Sequence, residues 1–245
     1  MRKKPNLDAR LERCAALMIP ESETFRGRWG ESFGFRSVQV ELGCGKGRFT
    51  ADAAQAMPDV LLVAIERDPS ALVMAMERVH DRGIGNVRFI LGDVSRLCES
   101  FADGEVSRLY INFCDPWPKS RDAKLRLTAP SFLRSYATVL CGGGEIHFKT
   151  DNAPLFDWSV QQFTDECWEL GELTHDLHAG GANGIMTDYE AKFVGQGLKI
   201  NRLVAKKSGG TKTTDAGAVP RLRNASLCDA RGFEESRQAN ERTEK

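Results

Sequence analysis

The sequence predicts an α/β protein: one mostly parallel, seven-stranded sheet with helices on both faces. Two observations carry that expectation. Between about residues 37 and 206, short apolar or β-branched runs alternate with stretches of helical periodicity, which is the order of repeated strand–helix units. Several runs also end on an acid or a glycine turn, as strands do when their carboxyl ends line a ligand crevice.

The run over 38–42 opens the sheet. After the turn Gly43-Cys44-Gly45-Lys46-Gly47, a helix over 48–57 places Phe49, Ala53 and Ala56 on one face and stops at Pro58. The uninterrupted apolar run 60–65 reads as a central strand covered on both sides; it ends at Glu66, and a helix over 70–82 closes at Gly83. A strand over 87–91 delivers Gly92-Asp93, and one over 109–113 delivers Asp115-Pro116. A helix over 130–140, a strand over 145–149, a helix over 154–167 and a closing strand over 198–204 follow, the last part antiparallel or hairpin-like.

Three regions are expected: a basic, partly ordered N-terminal extension over 1–30 with a short helix around 9–17, a domain over 31–206, and a polar tail over 207–245. The tail has too few apolar residues to offset chain entropy and is expected to be disordered. No apolar run approaches the ~20 residues that a membrane span needs. Thirty-four Lys and Arg balance 34 Asp and Glu, so a nucleic-acid partner must be met by a local basic patch. The seven cysteines form neither a CxxC pair nor a Cys/His cluster with metal spacing, so reduced thiols and no metal are expected. The basic start lacks an apolar stretch behind it, which points to a cytoplasmic protein. A monomer and a homodimer are equally compatible with the sequence.

The glycine turn lets a ligand approach backbone at the crevice. Its G-x-G-x-G spacing differs from the G-x-G-x-x-G dinucleotide fingerprint, and Glu41 precedes it. A carboxylate there repels a pyrophosphate but attracts an ammonium group, which favours the methionine moiety of S-adenosylmethionine over a nicotinamide cofactor. Glu66 can accept from the ribose hydroxyls and Asp93 from the adenine amino group. The cofactor-binding set is Glu41, Gly43, Gly45, Glu66, Asp93 and Asp115. Capping of following helices is the plainer role open to the acids.

Past the fourth strand comes Asn112-Phe113-Cys114-Asp115-Pro116-Trp117-Pro118-Lys119, trailed by Arg121, Lys124 and Arg126. Two prolines stiffen the loop, Trp117 offers a face for stacking, and the cations suit an RNA backbone. With Lys149-Thr150-Asp151 and Thr187-Asp188-Tyr189-Glu190 followed by Lys192-Phe193, these motifs over about 38–206 resemble the bacterial tRNA (guanine-N7)-methyltransferases. The resemblance implies a Rossmann-like methyltransferase fold and transfer of a methyl group from S-adenosylmethionine to N7 of a guanine in the tRNA variable loop, with S-adenosylhomocysteine as product. It also implies donor contacts from Glu41, Glu66, Asp93 and Asp115, and substrate contacts from Lys119, Asp151, Thr187, Asp188, Tyr189 and Glu190. Asp115 is the expected catalytic residue, accepting from the guanine N1 or N2 protons; Asp151 or Glu190 are open alternatives for that role. Cys114 stands where the family usually has proline, and Asp188 where glutamate is frequent. A catalytic thiol at Cys114 is the sharper reading of the first departure, a relaxed loop the plainer one. A same-fold methyltransferase acting on another RNA, a protein or a small molecule stays open as the alternative.

Overall fold

The apolar runs form the middle of one sheet because their alternate side chains have a helical layer to meet on each side. The computed structural model describes residues 6–207, so the tail expected over 207–245 lies outside the described residues except for Lys207. The strands are β1 (Ser37–Leu42), β2 (Val60–Glu66), β3 (Val87–Leu91), β4 (Val106–Asn112), β5 (Leu140–Thr150), β6 (Glu169–Thr174) and β7 (Asn201–Lys206). Their spatial order is β3-β2-β1-β4-β5-β7-β6. β1 to β5 run parallel, and β7 is antiparallel to both β5 and β6. The seven-stranded, mostly parallel sheet is as expected.

The helices are α1 (Leu7–Arg13), α2 (Trp29–Phe33), α3 (Arg48–Ala56), α4 (Pro69–Asp81), α5 (Leu97–Ser100), α6 (Pro130–Val139), α7 (Ala153–Asp165) and α8 (Asp188–Val194). On β2, Leu61, Val63 and Ile65 pack in one core with Leu133, Tyr136, Phe156 and Phe163 from α6 and α7. Leu62 and Ala64 pack in the other with α3 and α4. That two-sided burial is why the strand reads as a continuous apolar run. Asp68 caps α4 by accepting from Ser70 N, and Asn152 caps α7 by accepting from Leu155 N.

The N-terminal segment packs on this frame. Trp29 is fully buried among Phe25, Phe33 and Phe101, with its indole N–H donating to Ser100 O. Upstream, Ile19 N donates to Phe89 O and Met18 bridges Phe89 in parallel, so the chain lies along the outer edge of β3. At the other edge, β6 is a mostly exposed strand of alternating Glu, Leu and Gly. The chain reverses its direction of travel across the sheet between β1 and β4, and loops following both strands meet there, as ligand crevices in open α/β sheets require.

Candidate functional site

After β1 the backbone turns through Gly43, Gly45 and Gly47 at φ 79, 55 and 73, a region glycine enters without Cβ strain. The three positions differ in what surrounds them. A Cβ on Gly43 or Gly45 would meet nothing within 4 Å, so backbone there faces open space. A Cβ on Gly47 would lie 2.5 Å from Ala75 Cβ and 2.6 Å from its Cα; this glycine lets α3 touch α4. The loop is tied to the end of β2. Gly43 N and Cys44 N donate to Ile65 O, and Gly45 N donates to Glu66 Oε2 at 2.9 Å. The other oxygen of Glu66 accepts from Arg67 N and Asp68 N. A carboxylate offers about four lone-pair directions, so three backbone partners fix Glu66 and leave it room for one more.

Glu41 is 1% exposed. Its carboxyl accepts from Thr50 Oγ1 at 2.6 Å and from Asn112 Nδ2 at 3.3 Å. Burial raises its pKa to about 7, against the pull of Thr50, Asn112 and the Lys149 charge. Asn112 Oδ1, buried beside it, has no partner. Across the crevice, Asp93 caps the following turn through Ser95 N, which holds its carboxyl below the usual aspartate range, aided by the Arg67 charge. Arg67 also pairs with Asp115 at 2.9 Å, both side chains exposed. One guanidinium therefore faces two of the expected donor-site acids.

The loop after β4 is strained and clamped. Phe113 and Trp117 adopt φ 54 and 41, each costing about 1–2 kcal/mol for a residue with a Cβ. Arg126 donates to Pro116 O and Trp117 O, and its guanidinium sits 4.4 Å over the Trp158 ring. Arg126, expected among the RNA-facing cations, is thus spent inside the protein. Lys119, Arg121 and Lys124 are exposed along the same stretch. Burial and the neighbouring Asp115 push the Cys114 thiol up to about 12, which disfavours the thiolate form there.

The segment 187–190 is built differently from a row of free ligands. Thr187 and Glu190 close a capping box at the start of α8. Asp188 pairs with Arg78 of α4 at 2.9 Å. Tyr189 is 62% exposed and packs at a tilt against Phe193, which in turn lies beside Phe113. Glu190 is fully buried, bonded to Lys149 and His178. Asp151 is exposed at the start of α7, where it lines a cavity of about 300 Å³ with His175, Leu198, Lys199 and Asn201. Sequence reasoning included Asn112 and Lys149 in motifs without giving them a role and did not single out Arg67. Asn112 and Lys149 sit at the carboxyl ends of strands it had placed, and that position was the available signal.

Among the described residues no group of three or more His, Cys, Asp and Glu side chains is arranged to hold a metal, and no helix is long and apolar enough to cross a membrane.

An open sheet with this glycine turn at its switch point defines a class, and comparison with known proteins sharpens it. Residues 36–203 match the family model described as "Putative methyltransferase". In fold the chain is similar to the 16S rRNA methyltransferase KamB (16% identical, TM-score 0.56, 82% of this chain and 94% of that one). It is similar also to an antibiotic-related methyltransferase (16% identical, TM-score 0.55, 72% and 90%). The class is therefore the Rossmann-like methyltransferases. Over 184 residues the chain is 44% identical to the tRNA (guanine-N(7)-)-methyltransferase of Brevibacillus brevis, covering 74% of this chain and 86% of that protein. It is 41% identical to that of Geobacillus kaustophilus over 84% of this chain and 95% of the relative. The chain belongs to the tRNA (guanine-N7)-methyltransferase family.

Proposed function

We propose that this chain transfers a methyl group from S-adenosylmethionine to N7 of a guanine in the variable loop of tRNA, releasing S-adenosylhomocysteine. The observation that carries the donor half is the pairing of an open glycine turn with a buried carboxyl, Glu41, and an unpartnered buried carbonyl, Asn112 Oδ1. Two acceptors without solvent suit an ammonium group, and the unencumbered backbone at Gly43 and Gly45 suits a bulky ligand lying against it. The acceptor half is supported by 41–44% identity to relatives named tRNA (guanine-N(7)-)-methyltransferase.

When bound, S-adenosylmethionine supplies an electrophilic methyl carbon on a sulfonium. Glu41 and Asn112 hold its ammonium end, Glu66 accepts from the ribose, and Asp93 accepts from the adenine amino group with the carboxylate capacity left beyond Ser95. Guanine N7 already bears a lone pair, so the protein's task is alignment and exclusion of water. Asp115 accepts from the guanine N1 or N2 protons and so raises electron density on the ring. Its exposed partner Arg67 is displaced or shared when the base arrives. Lys119, with Arg121 and Lys124, meets phosphates. Asp151, Thr187, Asp188 and Tyr189 border the base and its neighbours, while Glu190 acts from beneath. The reaction is cytoplasmic, where unmodified tRNA is found.

The test is incubation with labelled S-adenosylmethionine and unmodified tRNA, followed by borohydride and aniline cleavage at N7-methylguanine. Chain scission in the variable loop is expected. Label appearing in protein, or nowhere, overturns the reading.

A further inference from the structure

The connection from β6 to β7 is far longer than the usual ~4–6 residues, and its regular structure is the seven-residue α8. Such a segment has few backbone bonds to fix it. Its anchor is instead polar and buried. Lys149, 7% exposed at the end of β5, donates from Nζ to Glu190 Oε2 at 2.6 Å and to Ile185 O at 2.8 Å. Glu190 Oε2 also accepts from Thr187 N, and its other oxygen accepts from His178 Nε2 at 3.0 Å. His178 Nδ1 accepts from Asn183 N, so Nε2 is the ring nitrogen that donates to Glu190. The ammonium lies 5.4 Å from the Phe49 ring centroid, and burial lowers its pKa against the opposing pull of Glu190.

An apolar contact would hold this segment as firmly, since buried ion pairs give little net stability over well-packed apolar groups. What a bidirectional charge-assisted network adds is one register. The backbone of the same lysine serves the neighbouring loop: Lys149 O accepts from Phe113 N at 2.9 Å, at the root of the Asp115-Pro116-Trp117 turn. Two substrate-side elements thus meet on one residue.

We propose that Lys149 is a positioning residue for tRNA: through Glu190 and Ile185 it sets where Thr187 and Tyr189 stand relative to the Asp115 loop. This rests on the reading of 187–190 as a tRNA-contacting segment. Lys149→Met keeps the stem and removes the charge. In methylation assays the tRNA KM should rise roughly tenfold or more, the loss of one charge-assisted anchor. The kcat should stay within about threefold, and S-adenosylhomocysteine affinity within about twofold by calorimetry. Hydrogen exchange should quicken at 183–190 and hold steady in β1–β4, and Lys149→Arg should restore much of the KM. Should Lys149→Met fail to fold, His178→Ala, at the rim of the network, must give the same pattern at severalfold size. A wild-type tRNA KM in a folded variant overturns the proposal. A matching loss of S-adenosylhomocysteine affinity also overturns it, because Lys149 would then serve Glu41. If the wild-type chain methylates no tRNA, the functional reading fails instead. Exchange at 183–190 then still decides whether Lys149 orders the segment, and unchanged exchange overturns that too.

Discussion

Replacing Glu41 with glutamine keeps the shape of a buried carboxyl and removes its charge. The group titrates at about 7 in the folded chain against 4.5 for an unperturbed glutamate. Below pH 4.5 it is neutral in both states, so its contribution to stability is fully present there. As pH rises from 4.5 to about 7 the unfolded chain ionises while the folded one resists, and stability falls; above 7 both are ionised and the loss is complete. Two and a half units at 1.36 kcal/mol each give a loss of about 3 kcal/mol. Glutamine has no such titration. Asn112 Nδ2 can still donate to the glutamine oxygen and Thr50 Oγ1 can accept from one amide N–H; the second amide N–H and the Thr50 hydroxyl proton lose their acceptor, a cost that does not vary with pH. Urea denaturation of both proteins at a series of pH values should show wild-type stability falling relative to Glu41→Gln by about 3 kcal/mol through that window. Calorimetry should show the cost of the gain: S-adenosylhomocysteine affinity lower by roughly tenfold to a hundredfold, with the wild type releasing about half a proton on binding near pH 7 and the variant none. Parallel stability curves across the window would refute the reasoning.

Asp115→Ala should reduce methyl transfer by roughly a hundredfold or more while thermal unfolding shifts little, because its pairing with Arg67 is exposed. The glycines should separate by assay. Gly47→Ala, forced against Ala75, should destabilise the fold by roughly 2–4 kcal/mol in denaturant titrations, whereas Gly43→Ala should cost about 1–2 kcal/mol of backbone strain and register mainly as lost S-adenosylhomocysteine binding. Lys119→Ala should weaken tRNA binding and lower the salt slope by about one. Arg126→Ala should leave that slope alone and depress turnover by freeing the carbonyls of Pro116 and Trp117; a slope that falls equally in both variants would place Arg126 on the RNA.

The parts of the site that were legible in the sequence are those whose physics is local. The turn from Glu41 to Gly47 and the acids at strand ends announce themselves within a few residues, since strand, glycine and carboxyl positions are set by neighbours in the chain. Burial at Asn112 and Lys149 depends instead on strand order. Lys149 meets Glu190 across 41 positions, and no periodicity encodes that meeting. Segment 187–190 reads as a cluster of ligands, yet the fold turns Glu190 inward and ties Asp188 to Arg78. β6 escaped notice because an exposed edge strand needs no apolar alternation. β5 starts at Leu140, ahead of the expected 145, because a register shift opposite Val106–Arg108 absorbs Gly142 to Gly144.

The strap formed by Met18 and Ile19 carries a consequence for shortened forms of the chain. It pairs with β3 at Phe89, covering backbone there that would otherwise face water as an open template. A chain cut between this strap and α2 keeps its glycine turn, its acids and most of its core, yet offers that bare edge to any extended peptide, including another copy of itself. Insolubility, not inactivity, is then the first symptom of truncation, and a poorly behaved fragment would say nothing about its chemistry.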